Sequence, residues 1–97
     1  KGRSGGPGST VTRVAARSTD TFNIRFRGGE TAIVAADGDR DTDLDLYVYD
    51  DNGYLICQDT DYTDTVICEW TPRRTGDFRI KIVNRGHVYN EYVLATN

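Results

Sequence analysis

The sequence is poor in the residues that most small enzymes use. Among 97 residues it has no methionine, one histidine and two cysteines, and its serines are Ser4, Ser9 and Ser18. A serine nucleophile needs a histidine base held beside it, yet two of the three serines lie in a glycine-rich stretch. The longest apolar run, Ala32–Ala36, is far shorter than the roughly 20 residues of a membrane-spanning helix. We therefore predict a non-catalytic domain without a membrane span.

Positive charge is scarce in the middle of the chain. Residues 37–64 carry ten aspartates and one cation, Arg40, whereas the whole chain has a net charge of −3. Such a block repels phosphates, so we do not expect a nucleic-acid partner. Carboxylates at this density attract a hard cation such as calcium, although a merely solvated acidic segment is the competing interpretation.

The distribution of glycine and of β-branched residues predicts the organisation of the chain. Residues 1–9 contain four glycines, a proline and no apolar side chain, which predicts a flexible linker or tail. Residues 10–97 are predicted to form one domain, in which short β-branched and aromatic runs alternate with turn residues. The pattern predicts no helix and an antiparallel β-sandwich. The predicted strands are 20–27, 30–36, 43–50, 54–58, 65–70, 77–84 and 90–96.

Two predicted strands alternate clearly between apolar and polar residues. Leu44, Leu46 and Val48 define an inner face of strand 43–50, and the intervening residues point outward. Phe78, Ile80 and Ile82 define the inner face of strand 77–84 in the same way. Tyrosine combines apolar area with a hydroxyl group and is common at recognition surfaces, so this outer face is a candidate ligand-binding face. The alternative is that the tyrosines reflect β-propensity alone. The candidate face comprises Asp43, Asp45, Tyr47, Tyr49, Arg79 and Lys81.

The strand order also predicts a cation site. If strands 43–50, 54–58 and 65–70 form an antiparallel meander, the connections before the first strand and after the second lie at one end of the sandwich. Calcium takes six to eight oxygen ligands and would relieve the repulsion there. Ion pairing with Arg40, Arg85 or His87, or simple solvation, is the alternative, and no EF-hand loop is present. The candidate ligands are Asp37, Asp39, Asp41, Asp59, Asp61 and Asp64.

The two cysteines are isolated from any other metal-ligating residue. Cys57 and Cys68 lie on successive predicted strands and form no CxxC motif, so a zinc site is not expected. Antiparallel neighbours can bring two such cysteines within bridging distance, which favours a disulfide in an exported protein. Two buried, reduced thiols are the alternative.

Several of these segments resemble a known family. The stretch 41–50, DTDLDLYVYD, is followed by WTP at 70–72, TGDFRIKI at 75–82 and NEYVL at 90–94. In this order they resemble the bacterial pre-peptidase C-terminal (PPC-like) domain, over roughly residues 19–97. The resemblance implies a jelly-roll-like sandwich of about seven to eight strands, appended to secreted proteases and other exported proteins. Members of this family are similar to the collagen-binding domains of clostridial collagenases, in which calcium and surface tyrosines matter.

Together these features predict a secreted, extracellular or periplasmic accessory module that is not an enzyme. It is expected to be monomeric, to bind calcium, and to bind or stabilise a partner. That partner would be an extracellular protein, a polysaccharide or an adjacent domain of an exported protein. The alternative is a purely structural folding or export domain with no ligand.

Overall fold

The computed structural model describes residues 2, 3 and 6–97, and these contain strands and turns but no helix. The strand bounds lie close to the seven predicted segments, and one further strand precedes them. In chain order the strands are β1 (Gly8–Val14), β2 (Thr19–Phe26), β3 (Ala32–Asp37), β4 (Leu44–Tyr49), β5 (Leu55–Asp59), β6 (Thr65–Trp70), β7 (Gly76–Asn84) and β8 (Asn90–Thr96).

The strands form two four-stranded antiparallel sheets. Sheet 1 has the order β1-β8-β3-β6, and sheet 2 has the order β2-β7-β4-β5. β1 pairs with β8, β2 with β7, β3 with β6 and β4 with β5, which is the nested pairing of a jelly roll. The predicted all-β antiparallel sandwich is confirmed.

The core lies between the two sheets and is built by residues that alternate along each strand. Leu44, Leu46 and Val48 of β4 are completely buried, as are Ile80 and Ile82 of β7. The inner faces predicted for these two strands are therefore confirmed, and their outer faces carry the polar and aromatic residues.

Part of the N-terminal segment lies against the sandwich. Strand β1 begins at Gly8, within the segment predicted as a linker. Arg3 forms an isolated antiparallel bridge with Phe26, and the backbone N–H of Arg27 donates to the Gly2 carbonyl. Residues 1, 4 and 5 of the predicted linker lie outside the described residues.

The predicted meander of β4, β5 and β6 is wrong. Strand β5 pairs with β4 in sheet 2, whereas β6 crosses to sheet 1 and pairs with β3. The predicted Cys57–Cys68 disulfide is present, but it joins the edge strands of the two sheets instead of two paired neighbours. The bond therefore fastens one lateral edge of the sandwich, with the two Cα atoms 6.0 Å apart.

Candidate functional site

Three loops meet at one end of the sandwich, which we call the acidic pole: residues 38–43, 60–64 and 85–89. The Gly38 N–H donates to the Asp64 carbonyl (2.9 Å), and the Leu44 N–H donates to the Thr63 carbonyl (3.1 Å). The Arg85 N–H donates to the Asp43 carbonyl (3.0 Å) and brings the third loop to the others. The predicted meeting of the first two loops is thus observed, although it arises from the jelly-roll crossover and not from a meander.

A buried asparagine at the start of β8 organises the acidic pole. The Asn90 side chain has no exposed surface, and its Oδ1 accepts the Asp39 N–H at 3.0 Å. Its Nδ2 donates to Asp64 Oδ2 and to Thr42 Oγ1, both at 3.1 Å. An amide can both donate and accept, so one side chain fixes two loops. No pattern in the sequence distinguishes Asn90 from the other polar residues that start strands.

The close packing of this end also explains a glycine. A Cβ atom at position 38 would meet Asp64 Oδ2 and Asn90 Oδ1 at contact distances that real side chains do not reach. Residue 38 must therefore lack a side chain for the Asp64–Asn90 hydrogen bond to form. Asp64 itself is buried, and its Oδ2 also accepts the backbone N–H of Arg40.

Two further predicted ligands, Asp39 and Asp59, accept hydrogen bonds from the backbone as Asp64 does. Asp39 accepts the N–H groups of Asp41 (3.0 Å) and Glu91 (2.9 Å), one on each carboxylate oxygen. Asp59 does the same for Asp61 (3.3 Å) and Ile67 (3.0 Å), so that it ties the end of β5 to β6. In addition, Asp37 Oδ1 accepts the hydroxyl of Thr65 at 3.0 Å. Carboxylates used in this way supply hydrogen-bond acceptors that loops otherwise lack.

A shallow cavity of about 290 Å³ opens at the acidic pole. Asp41 and Asp64, two of the predicted ligands, line it together with Asp43, which the sequence had assigned to the ligand-binding face. Thr42, Thr63, the almost fully exposed Tyr62 and the cationic Arg40 complete its wall. Within residues 2–3 and 6–97, no three acidic, histidine or cysteine side chains are arranged so as to hold a metal ion.

Asp43 and Asp45 form a coupled acidic pair beside this cavity. Burial, followed by repulsion from Asp45, raises the pKa of Asp43, and Asp64 adds a smaller effect in the same direction while Arg85 opposes it. Asp45 is 5% exposed, and its Oδ2 accepts a hydrogen bond from Arg85 Nε at 2.8 Å. One oxygen of each carboxylate, Oδ1, is buried without a hydrogen-bond partner among the described residues. Such a group carries a desolvation cost that a cation would relieve.

The outer face of sheet 2 brings the predicted tyrosines and cations together. The strand register sets Tyr47 opposite Lys81 and Tyr49 opposite Arg79, and Lys81 Nζ lies 5.3 Å from the centre of the Tyr49 ring. Arg85, which the sequence had not assigned to this face, donates to the Tyr47 hydroxyl at 3.1 Å. These hydrogen bonds, the one to Asp45 first, raise the pKa of Arg85.

The two aspartates predicted on this face do not form part of its exposed surface. Asp43 lines the cavity at the acidic pole, and Asp45 is buried under Arg85, so the exposed part of the face is formed by tyrosine and cationic side chains.

His87 lies in the exposed loop 85–89 at the acidic pole. Arg17 Nη2 is 2.9 Å from His87 Nδ1, a geometry in which the guanidinium donates to an unprotonated ring nitrogen. The hydroxyl of Ser18 donates to the carbonyl of Ala16.

Comparisons with known proteins place the chain in no family. No protein-family model matches the sequence, and no curated protein matches it significantly. No helix that could cross a bilayer occurs in the described part of the chain.

Proposed function

We propose that this domain is a non-catalytic accessory module of an exported protein, and that it binds calcium at the acidic pole. We further propose that the outer face of sheet 2 contacts an extracellular protein, a polysaccharide or the adjacent domain. The observation that carries the proposal is the buried, unpartnered Oδ1 of Asp43 in a cavity that two other carboxylates line.

The chemistry of the cavity suits calcium better than a transition metal. Its lining carries three carboxylates and three hydroxyl groups beside the exposed cation of Arg40, and neither the histidine nor the cysteines line it. The ligands we propose are Asp41, Asp43 and Asp64, with Asp45 as a neighbouring charge. Reorientation of the exposed Asp41 side chain is required, because the carboxylates do not converge in the arrangement described.

Export is supported by the disulfide and by the resemblance to PPC-like domains. Disulfides persist in oxidising compartments. The Cys57–Cys68 bond closes the edge of the sandwich at β5, a strand whose side chains are largely exposed. The module is proposed to act outside the cytoplasm, where millimolar calcium would keep even a weak site occupied.

Thermal unfolding with calcium and with chelator tests the metal site. At a calcium concentration 100 times Kd, binding to the native state alone adds about 2.7 kcal/mol, or about 10–20 °C in Tm for a domain of this size. The Asp43→Asn variant should lose most of this shift. Asp61→Asn, which changes an acidic-pole carboxylate that does not line the cavity, should keep it. Identical melting curves at millimolar calcium and in chelator would refute the calcium proposal.

Retention on insoluble collagen and on cellulose tests the outer face. Replacing Tyr47 and Tyr49 together with alanine should abolish retention, because both partly exposed side chains lie on this face opposite Lys81 and Arg79. Tyr89→Ala removes a half-exposed ring from another surface and serves as the matched control. Retention that is unchanged in the double variant would exclude this face.

A purely structural role is the second candidate, and the bracing aspartates favour it. Asp39 and Asp59 each use both carboxylate oxygens on backbone N–H groups, which accounts for part of the acidic block without a ligand. The absence of both a calcium shift and retention would support this candidate over the first.

A further inference from the structure

A second, larger cleft lies at the end of the sandwich opposite the acidic pole. It has a volume of about 620 Å³, within the range of small-ligand sites, and lies between the β4–β5 turn (50–54) and the β6–β7 loop (71–75). Ile56, Trp70 and Phe78 form the main apolar part of its lining, and the rest is largely polar or charged.

An irregularity in β5 gives the cleft its exposed apolar wall. Val48 pairs with Cys57 and Tyr49 with Leu55, so Ile56 is an extra residue in the strand. A bulge of this kind re-aims side chains, and Ile56 is 42% exposed while the neighbouring Tyr54 is 70% exposed. Toward the acidic pole the two edge strands are fastened by the disulfide and by Asp59. Ile56 of β5 and Trp70 of β6 both line the cleft beyond these ties.

An aromatic cluster forms the floor of the cleft. The Trp70 ring packs against Phe26 and Phe78, with ring centroids 5.1 and 5.3 Å apart. A preformed apolar floor lowers the ordering cost of binding.

Three side chains that line the cleft carry hydrogen-bond donors without an acceptor. Trp70 Nε1 is buried and has no hydrogen-bond partner within the described part of the chain. Arg73 and Arg74 are exposed and pair with no carboxylate of residues 2–3 and 6–97.

Acidic side chains line the same cleft, and most of them are already engaged. Asp50 Oδ1 accepts two N–H groups of its own turn, and Asp77 pairs with Arg25 at 3.3 Å. Asp51 accepts no hydrogen bond from the described residues. The cleft therefore offers apolar surface, unpaired guanidinium groups and one acceptor carboxylate.

We propose that this cleft binds the C-terminal residue of a polypeptide that ends in a large apolar side chain. The side chain would lie on Trp70 and Ile56, the terminal carboxylate would meet Arg73 and Arg74, and the preceding amide N–H would donate to Asp51. Arginine forms paired hydrogen bonds with carboxylates, which makes it suited to this recognition. The proposal rests neither on the calcium site nor on the outer face of sheet 2.

Trp70 is the only tryptophan in the chain, so its fluorescence reports directly on the cleft. The probes are the peptide acetyl-Ala-Ala-Phe with a free carboxylate, the same peptide with a C-terminal amide, and cellobiose. We expect the free acid to change Trp70 emission saturably and to bind at least tenfold more tightly than the amide. Its affinity should be equal in calcium and in chelator.

Variants separate recognition from folding. Arg73→Ala with Arg74→Ala should reduce affinity for the acid to that for the amide, at an unchanged Tm because both residues are exposed loop residues. Arg13→Ala, on the outer face of sheet 1, should bind as the parent does. Ile56→Ser should weaken both peptides alike.

Four outcomes would overturn the proposal. They are the absence of binding at millimolar peptide, equal binding of acid and amide, acid binding that survives removal of both arginines, and binding of cellobiose in place of the peptides. If the peptide fails to bind both in calcium and in chelator, the calcium proposal stays intact, because the two sites lie at opposite ends of the sandwich.

Discussion

Removal of the Cys57–Cys68 disulfide should cost the domain a large part of its stability. The cysteines are 11 residues apart in sequence. In the chain-entropy model, closing a loop of that length removes about 9 cal/mol/K from the unfolded state, or about 2.8 kcal/mol at 25 °C. Native domains are stable by only about 5–15 kcal/mol, so the bond contributes a substantial fraction.

The substitution adds a packing loss to the entropic one. Cys68 is 1% exposed and lies in the core, and Cys57 packs against it from the edge. Cys57→Ala with Cys68→Ala therefore leaves a small cavity worth about 1 kcal/mol. The expected total is about 3–4 kcal/mol, which corresponds to a fall in Tm of roughly 12–30 °C.

Urea unfolding measures both parts of this prediction. The double variant should unfold at a lower urea concentration and with a larger slope, because its unfolded chain is no longer cross-linked and exposes more surface. The parent protein unfolded in reductant, with its core side chains intact, should show the entropic loss alone. A loss below about 1 kcal/mol in both experiments would refute the reasoning.

Three further predictions concern single residues. Because the pKa of Asp43 is raised, the folded state binds more protons than the unfolded state. Without calcium, the stability should therefore fall as pH rises from about 4 through the folded pKa. Asp43→Asn should flatten this profile in pH-dependent melts. Burial and then the 2.6 Å hydrogen bond to Asp20 raise the pKa of Tyr92. The stability should therefore fall as pH rises above about 10. Tyr92→Phe should remove that fall, at a cost of about 1–2 kcal/mol at neutral pH. Gly38→Ala should cost about 1–3 kcal/mol in chemical unfolding, and a loss of under 0.5 kcal/mol would contradict the contact with Asp64 and Asn90.

Strand positions could be predicted well where alternation and turn residues coincide. Strands β4 and β7 alternate strictly and were predicted to within about two residues at each end. Strand β1 was missed because Gly8–Val14 has one buried residue, Val14, and follows a glycine-rich segment. Strand β1 is held in the sheet by its pairing with β8, and a pairing between strands so far apart in sequence cannot be predicted from a short stretch of residues.

The candidate site could be predicted only in outline. The acidic loops do meet, but which carboxylates brace the backbone and which line a cavity depends on the crossover of β6 to sheet 1. Short segments such as Tyr54–Gln58 do not specify which sheet they join, since their alternation is weak. The roles of Asn90 and Arg85 follow from contacts between residues far apart in sequence, as the 40-residue separation of Arg85 and Asp45 illustrates.

The nested pairing of the strands has a consequence for how fast the domain reaches its native state. Among the described strands, only β4 and β5 form a hairpin between chain neighbours; every other pair joins strands separated by at least two others. The entropy of closing long loops must be lost before those pairs form, which places sandwiches in the millisecond-to-second range of folding times. We expect a single slow, cooperative folding phase in stopped-flow refolding of the oxidised protein. Substitutions in the β4–β5 hairpin should mainly slow folding, and substitutions in β1 should mainly speed unfolding.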